Sequence, residues 1–231
     1  MFKYKDPFSY KSFSKLNPIR LVYTAWIRWQ ERISRQNYDS YAMEMKKLNG
    51  YENNFPEFNK NNTAVTEAQM NQLLTALRLT EKMDDTCVVE IGAYRGETSV
   101  CLASETKRRL FCIDPYIGYG GAEDDYIIFK DKTAGYDNIT HLKMTSGEAR
   151  KEWDEDQSAS LIFIDAVHDY ANTSFDINTW QSVLCKGGYL ALHDVDQKAF
   201  AGTRRAAYEC RKSMNLAAHV DNLAIFKKIN S

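Results

Sequence analysis

The sequence predicts an α/β protein: a doubly wound, mostly parallel seven-stranded sheet that ends in an antiparallel hairpin, preceded by an N-terminal helical arm. Short apolar runs alternate with helix-like segments from residue 66 onward, and most of these runs end in a polar residue. Buried strands joined by helical crossovers run parallel and carry helices on both faces. The tail departs from this rhythm, with two short runs flanking Asp221-Asn222, the pattern of two strands joined by a tight turn.

In chain order, Pro18 opens a helix in which Ile19, Val22, Trp26, Trp29 and Ile33 recur at spacings of three and four, a stripe expected to pack on the main body. Residues 49–63 are rich in Asn and poor in aliphatic side chains, as in a linker or surface loop. A boundary near residue 60 therefore separates an arm and linker, 1–60, from a main domain, 61–231. Thr66 can cap a helix carrying Ala68, Leu73, Leu74 and Leu77. The strand Cys87–Ile91 stops at Gly92 and hands over to a helix at 99–106. Leu110–Ile113 runs into Asp114-Pro115, 124–132 is helical, 139–144 is extended, and 161–164 ends at Asp165. A helix at 170–184, a Gly187-Gly188 turn, a strand at 189–192 and a helix at 199–214 precede the hairpin strands 217–220 and 223–227.

With 231 residues, 44% hydrophobic and 26% charged, the chain suits one sizeable soluble domain plus an appendage, which excludes a disordered, collagenous or coiled-coil chain. No stretch approaches the roughly 20 apolar residues of a membrane span; the best, 19–33, is broken by Arg20, Arg28, Glu31 and Arg32. The first 14 residues lack the apolar core of a secretory signal, so the expected location is cytoplasmic. The five cysteines contain no C-x-x-C pair, and Cys87 and Cys112 lie in strand-like runs where thiols serve as small hydrophobes. The net charge of −1 conceals an asymmetry: residues 1–35 carry +6 with eight interleaved aromatics, leaving −7 elsewhere. Such an arm can pack on the main domain, embrace a second subunit in a homo-oligomer, grip an acidic substrate, or lie peripherally on the inner membrane surface. Nucleic acid is not expected, because the rest of the chain is acidic.

Function in an open α/β sheet sits at the carboxyl ends of the strands, which directs attention to Glu90, Asp114, Ser146, Asp165, His193 and Asp194. Glu90-x-Gly92-x-x-x-Gly96 allows close backbone approach to a ligand and is followed by free helix amides. It lacks the order of a dinucleotide fingerprint and the lysine of a P-loop. It suits a ligand with a cationic amino-acid end, and Asp114, at the next strand end, can accept from two ribose hydroxyls.

From about Val65 to its end the chain resembles the class I S-adenosylmethionine-dependent methyltransferases, whose sheet is Rossmann-like. Val88-Val-Glu-Ile-Gly-Ala-Tyr-Arg-Gly-Glu-Thr98 is similar to the first motif of that family and Phe111-Cys-Ile-Asp-Pro-Tyr116 to the second. The resemblance implies Gly92, Ala93, Tyr94, Gly96 and Thr98 around the methionine part of S-adenosylmethionine, Glu90 beneath that loop, and Asp114 on the ribose. It further implies Ser146, Gly147 and Glu148 near the adenine edge and Asp165 facing the cofactor.

A finer likeness lies in Ile164-Asp-Ala-Val-His-Asp-Tyr170, Asp176, Trp180 and Lys186-Gly-Gly-Tyr-Leu-Ala-Leu-His-Asp194. These resemble the subgroup of macrolide-sugar O-methyltransferases and cephalosporin hydroxylase-like proteins. That implies Asp165 and Asp194 as Mg²⁺ ligands and His168 as general base. His193 stands where that subgroup has an acidic ligand, so either Asp196 substitutes for it or the site works without metal, with His168 or His193 acting alone; Asp165 and His193 join His168 as candidate catalytic residues. The implied activity is O-methylation of a sugar, a glycan precursor or a glycosylated small molecule. N-methylation, a hydroxylase-like oxidation and a non-catalytic cofactor-binding or assembly module stay open as alternatives. His141 and His219 read as ordinary surface or half-buried histidines, Trp153 and Trp180 as packing anchors, and the Gly118, Gly120, Gly121 loop as a lid or a plain loop.

Overall fold

The structure is a computed structural model that describes residues 5–50, 58–83, 85–118 and 120–229. Residues 1–4 of the basic arm, 51–57 of the Asn-rich segment and Tyr119 of the glycine-rich loop lie outside the described residues.

Seven strands, β1 (Cys87–Ile91), β2 (Leu110–Ile113), β3 (Ile139–Leu142), β4 (Ala159–Ile164), β5 (Leu184–Leu192), β6 (Asn215–Val220) and β7 (Leu223–Lys227), form one sheet in the order β3-β2-β1-β4-β5-β7-β6. The first five are parallel, and β7 and β6 close the far side antiparallel. The order reverses between β1 and β4, which opens a crevice at their carboxyl ends beside Gly92 and Asp165. Alternation along β1 divides the core. Cys87, Val89 and Ile91 join Ile162, Leu190 and Trp180 on one face, while Val88 joins Leu73, Leu102 and Leu161 on the other. Trp153 and Trp180 meet edge to face at 5.0 Å within the first of these clusters.

Helices α3 (Glu67–Leu79), α4 (Glu97–Ser104), α5 (Glu123–Thr133), α6 (Ser146–Lys151), α7 (Tyr170–Trp180) and α8 (Ala201–Cys210) flank the sheet. Thr66 caps α3 in a reciprocal box: its hydroxyl accepts from the Gln69 amide, and the Gln69 side chain accepts from the Thr66 amide. Several bounds differ from expectation. Helix α4 starts two residues earlier, because Gly96, at φ +76°, turns the chain directly into it. Helix α7 stops at Trp180, and Gly187-Gly188 lies inside β5 rather than in a turn, held to β7 by Gly187 N–H donating to Lys228 O and Lys228 N–H to Gly188 O. Helix α8 is shorter than 199–214, flanked by a single turn of tighter helix at Lys198–Phe200 and by turns after Cys210. Helix α6 was not foreseen; its start is another capping box, Thr145 with Glu148.

The arm consists of α1 (Pro7–Lys11), α2 (Pro18–Gln36) and a tighter turn at Tyr38–Tyr41. Asn17 caps α2, and Pro18 supplies its first residue. Helix α2 packs against α7 and α8, but not through the predicted stripe. The covered side holds Tyr23, Gln30 and Ser34, whereas Ile19, Val22 and Trp29 are exposed and Trp26 and Ile33 only half-buried. Polar pairing sets that orientation: Arg205 donates to Gln30 Oε1 at 2.8 Å, and Glu31 Oε1 accepts from the Tyr170 amide at 2.8 Å. Beyond the arm, Lys46 pairs with His219 and covers the outer edge of β6. The five cysteines are free thiols, four of them buried. Among the described residues no helix is long and apolar enough to cross a membrane.

Candidate active site

A cleft opens over the β1–β4 crevice. Of the sequence-predicted residues, Glu90, Gly92, Ala93, Tyr94, Thr98, Asp114, Ser146, Asp165, His168 and Asp194 line it. Gly96, Gly147, Glu148 and His193 do not, each for a physical reason. Gly96 is the left-handed start of α4, where a Cβ would press on Phe129. A Cβ on Gly147 would lie 2.5 Å from Asp6, so its face is closed by the arm. The Glu148 carboxylate is engaged with the Thr145 amide and hydroxyl at 2.9 and 2.8 Å. His193 sits behind the cleft wall, 3% exposed.

The floor is formed by chain reversals at the strand ends. Tyr94, Tyr116 and Asp194 all adopt left-handed φ, +46°, +51° and +59°, although none is glycine. Such geometry persists only where surrounding bonds enforce it. Here Asp114 does so: its carboxylate accepts from the Tyr94 amide at 3.0 Å and the Tyr116 amide at 2.9 Å, while the Tyr116 hydroxyl donates to Tyr94 O at 2.6 Å. With the Ala93 amide also directed at it, the Asp114 carboxylate keeps one lone pair for a ligand hydroxyl. Glu90 lies beneath the loop, fully buried; burial outweighs the Ser99 and Cys112 donors and pushes its carboxyl up to about 8, so it is neutral near pH 7. At the other end, Asp176 is likewise raised by burial to about 7 and accepts from Ser146 at 2.5 Å.

Four ionisable side chains meet at the ends of β4 and β5. His168 Nε2 stands 3.2 Å from Asp194 Oδ2 and 3.9 Å from Asp165 Oδ1, its ring 4.6 Å from Phe200. His193 Nδ1 is 3.3 Å from Asp165 Oδ1 and 3.6 Å from Asp194 Oδ1, while its Nε2 faces Gln69 Oε1 at 3.1 Å. Burial opposes the charge on His193, but the two carboxylates prevail and hold it protonated up to about 10. The Nδ1 approach is an ion contact rather than an aligned hydrogen bond.

Asp165, His168 and Asp194 bring one ligand atom each within 4.8 Å of one another. The set does not suit Mg²⁺, which wants oxygen ligands in an octahedron. Asp194 Oδ1 already accepts from Gln197 and Asn222, its Oδ2 faces His168, and the cationic His193 adjoins both carboxylates. Asp196 offers no replacement, being paired with Arg204. Two carboxylates and one histidine also differ from the two-histidine, one-carboxylate set of non-haem iron oxygenases. His219 itself is 1% exposed, against the expectation of a surface or half-buried histidine. Its Nδ1 faces the Met43 carbonyl at 3.3 Å, and burial lowers its pKa, which favours the neutral ring.

The cleft also contains residues that sequence reasoning passed over. Phe8 comes from α1, Asn62, Thr63 and Ala64 from the Asn-rich segment, and Thr145 and Asn172 from the starts of α6 and α7. Only the last two had a readable signal, the capping patterns of Thr145 with Glu148 and Asp169 with Asn172.

A family model described as a methyltransferase domain matches residues 89–195. A solved Corynebacterium glutamicum protein is 15% identical, covers 98% of this chain and 99% of its own, and superposes with a TM-score of 0.58. The O-methyltransferase NovP is 11% identical over 90% of this chain and 99% of its own, TM-score 0.58. A Streptococcus mutans protein solved in complex with S-adenosylhomocysteine is 14% identical over 67% of this chain and 96% of its own, TM-score 0.52. At such identities these likenesses are likenesses of fold. No curated protein matches the chain. The matched domain is that of a methyltransferase, and the fold agrees with it. A methyltransferase domain is thus shown over residues 89–195.

Proposed function

We propose that the chain transfers the methyl group of S-adenosylmethionine to a hydroxyl of a sugar, in a glycan precursor or on a glycosylated small molecule, with His168 as general base. One observation carries the reading: His168 lines the same cleft as Gly92 and Asp114 and leans on the Asp194 carboxylate at 3.2 Å. The sugar acceptor rests on the likeness of 165–170 to the sugar-modifying subgroup, and oxygen as the attacked atom is favoured by the presence of NovP among the fold neighbours.

The donor cradle fits the cofactor. Gly92 lets the ends of β1 and β4 close together beneath the cleft, no side chain caps the first turn of α4, and Asp114 keeps a lone pair for a ribose hydroxyl. Ser146 and Asp176 bound the adenine end. When bound, S-adenosylmethionine supplies a methyl group already activated on a positively charged sulfur. Most of what the protein must add is alignment and a place for the acceptor's proton.

With Nε2 placed 3.2 Å from Asp194 Oδ2, the His168 ring is oriented so that its Nδ1 can take the hydroxyl proton. Asp194 then stabilises the imidazolium that forms. Asp165, held by His193, is the second carboxylate of the wall and orients the acceptor. Free thiols at all five cysteines agree with a cytoplasmic enzyme.

The test is His168→Ala against a panel of free and nucleotide-linked sugars, with radiolabelled methyl transfer as readout. S-adenosylhomocysteine affinity should stay within about twofold while transfer falls at least ~10²-fold. Undiminished transfer by the variant overturns the role of His168.

A further inference from the structure

The outward half of α2 is organised in two rows. Ile19, Val22, Trp26, Trp29 and Ile33 form one, with Val22 and Trp29 each 57% exposed and Trp26 and Ile33 half-buried. Arg28, Arg32 and Arg35, all exposed, form the other. With 3.6 residues per turn the two rows run side by side and meet at Ala25, also exposed. Both are turned from the row that packs on α7 and α8, namely Tyr23, Gln30 and Ser34. Leu16, 86% exposed, and Leu21, 54% exposed, extend the apolar surface at the start of the helix. An isolated exposed apolar side chain needs no explanation, but a contiguous row containing a tryptophan does.

Charge identifies the occupant. Between Lys11 and Arg35 the only acidic side chain is Glu31, and that one is drawn inward onto the Tyr170 amide. The face therefore presents apolar and cationic groups and no acidic side chain of its own, Glu31 lying inward within electrostatic reach of Arg35 alone among the three arginines. A second copy of the chain brought onto this face by a two-fold axis would set arginine against arginine. A bilayer containing anionic lipids supplies both complements, hydrocarbon for the apolar row and phosphate for the arginines. The helix is fixed for such contact at both ends. Arg20 donates to the carbonyls of Lys11 and Phe13, and Glu31 and Gln30 tie its later turns to α7 and α8.

We infer that the enzyme binds peripherally to anionic lipid surfaces through the outward face of α2, with Val22 and Trp29 entering the interface and Arg28, Arg32 and Arg35 on the headgroups. The contact lies in the plane of the surface, since no described helix can span it. It does not depend on the identity of the methyl acceptor.

The experiment is co-sedimentation of the full chain with vesicles of phosphatidylcholine alone or with about one third phosphatidylglycerol, at two salt concentrations. Binding should be at least ~10-fold tighter on the anionic vesicles and weaken with salt. Val22→Glu/Trp29→Glu and Arg28→Glu/Arg32→Glu should each weaken it at least ~10-fold while leaving S-adenosylhomocysteine affinity and Tm unchanged, which shows that the variants fold. Equal or absent binding to the two vesicle types overturns the inference. So does light scattering that finds a dimer which Val22→Glu/Trp29→Glu splits into monomers, because the face is then an interface between copies.

Discussion

Gly92 and Asp165 come so close at the ends of β1 and β4 that a Cβ on Gly92 would lie 1.9 Å from the Asp165 carbonyl oxygen. The neighbouring Asp165 amide donates to Ile91 O at 2.8 Å, so the two strand ends cannot part without losing a ladder bond. Gly92 also sits at φ +92°, where side chains are strained. Gly92→Ala is therefore expected to cost about 2–4 kcal/mol of stability and to weaken S-adenosylhomocysteine binding more than ~100-fold, about 2.7 kcal/mol. Urea unfolding and calorimetric titration read the two effects separately.

Three buried groups act in one direction on the pH dependence of stability: Glu90, His193 and Asp176, the last raised to about 7 by burial. Glu90 stays neutral in the fold up to about 8 against an ordinary value of 4.5, so folding takes up a proton between those values. Its contribution is complete below 4.5 and is lost as pH rises to about 8. His193 is held protonated up to about 10 against 6.5, and its contribution is present below 6.5 and lost toward 10. Stability should thus fall from pH 5 to pH 10. Glu90→Gln should flatten the lower part of that decline and His193→Asn the upper part, by urea unfolding at unit pH intervals.

Metal removal should change little. Because the oxygens of Asp194 are engaged by Gln197, Asn222 and His168, EDTA should alter S-adenosylhomocysteine affinity by less than about twofold. Millimolar Mg²⁺ should leave Tm unchanged. A Mg²⁺-dependent rise in either quantity would show that the cluster opens to admit a cation.

Phe8 reaches the cleft from α1, with the Lys11 ammonium 4.2 Å from its ring centre. As a wall of the pocket rather than of the core, it should matter to ligand more than to fold. Phe8→Ala is expected to weaken S-adenosylhomocysteine about 5–10-fold, roughly 1–1.4 kcal/mol, with Tm within about 1 °C of the parent.

Asp114 is a different case, since it accepts from two amides that hold left-handed residues. Asp114→Ala should lower both Tm and affinity, the latter at least ~10-fold. Asp114→Asn retains acceptor oxygen on one side only and should fall between. Equal affinity in all three proteins would remove Asp114 from the ribose site.

Much of this was legible in residues 87–194, where local physics speaks plainly. A strand buried on both faces must be apolar throughout, and polar residues at its carboxyl end mark the crevice. The run Cys87–Ile91 before Gly92, and 161–164 before Asp165, carry that signal directly. Helix ends were less visible where the start was a glycine, as at Gly96, or where glycines lay within a strand, as at Gly187-Gly188. The engagement of Glu148 in a capping box was readable in principle, because Thr145 precedes it by three residues.

By itself the sequence determined the α/β alternation and the residues that stand at the strand ends, Gly92, Asp114 and Asp165 with His168 three positions on, since each depends on neighbours close in the chain. Only the tertiary structure decided that the apolar row of α2 faces outward, that Gln69 and Asp165 clamp His193, and that Phe8 and Asn62 complete the cleft. A 3.6-residue period tells which side chains share a face but not which face is covered. That choice belongs to partners such as Tyr170 and Arg205, more than a hundred residues away.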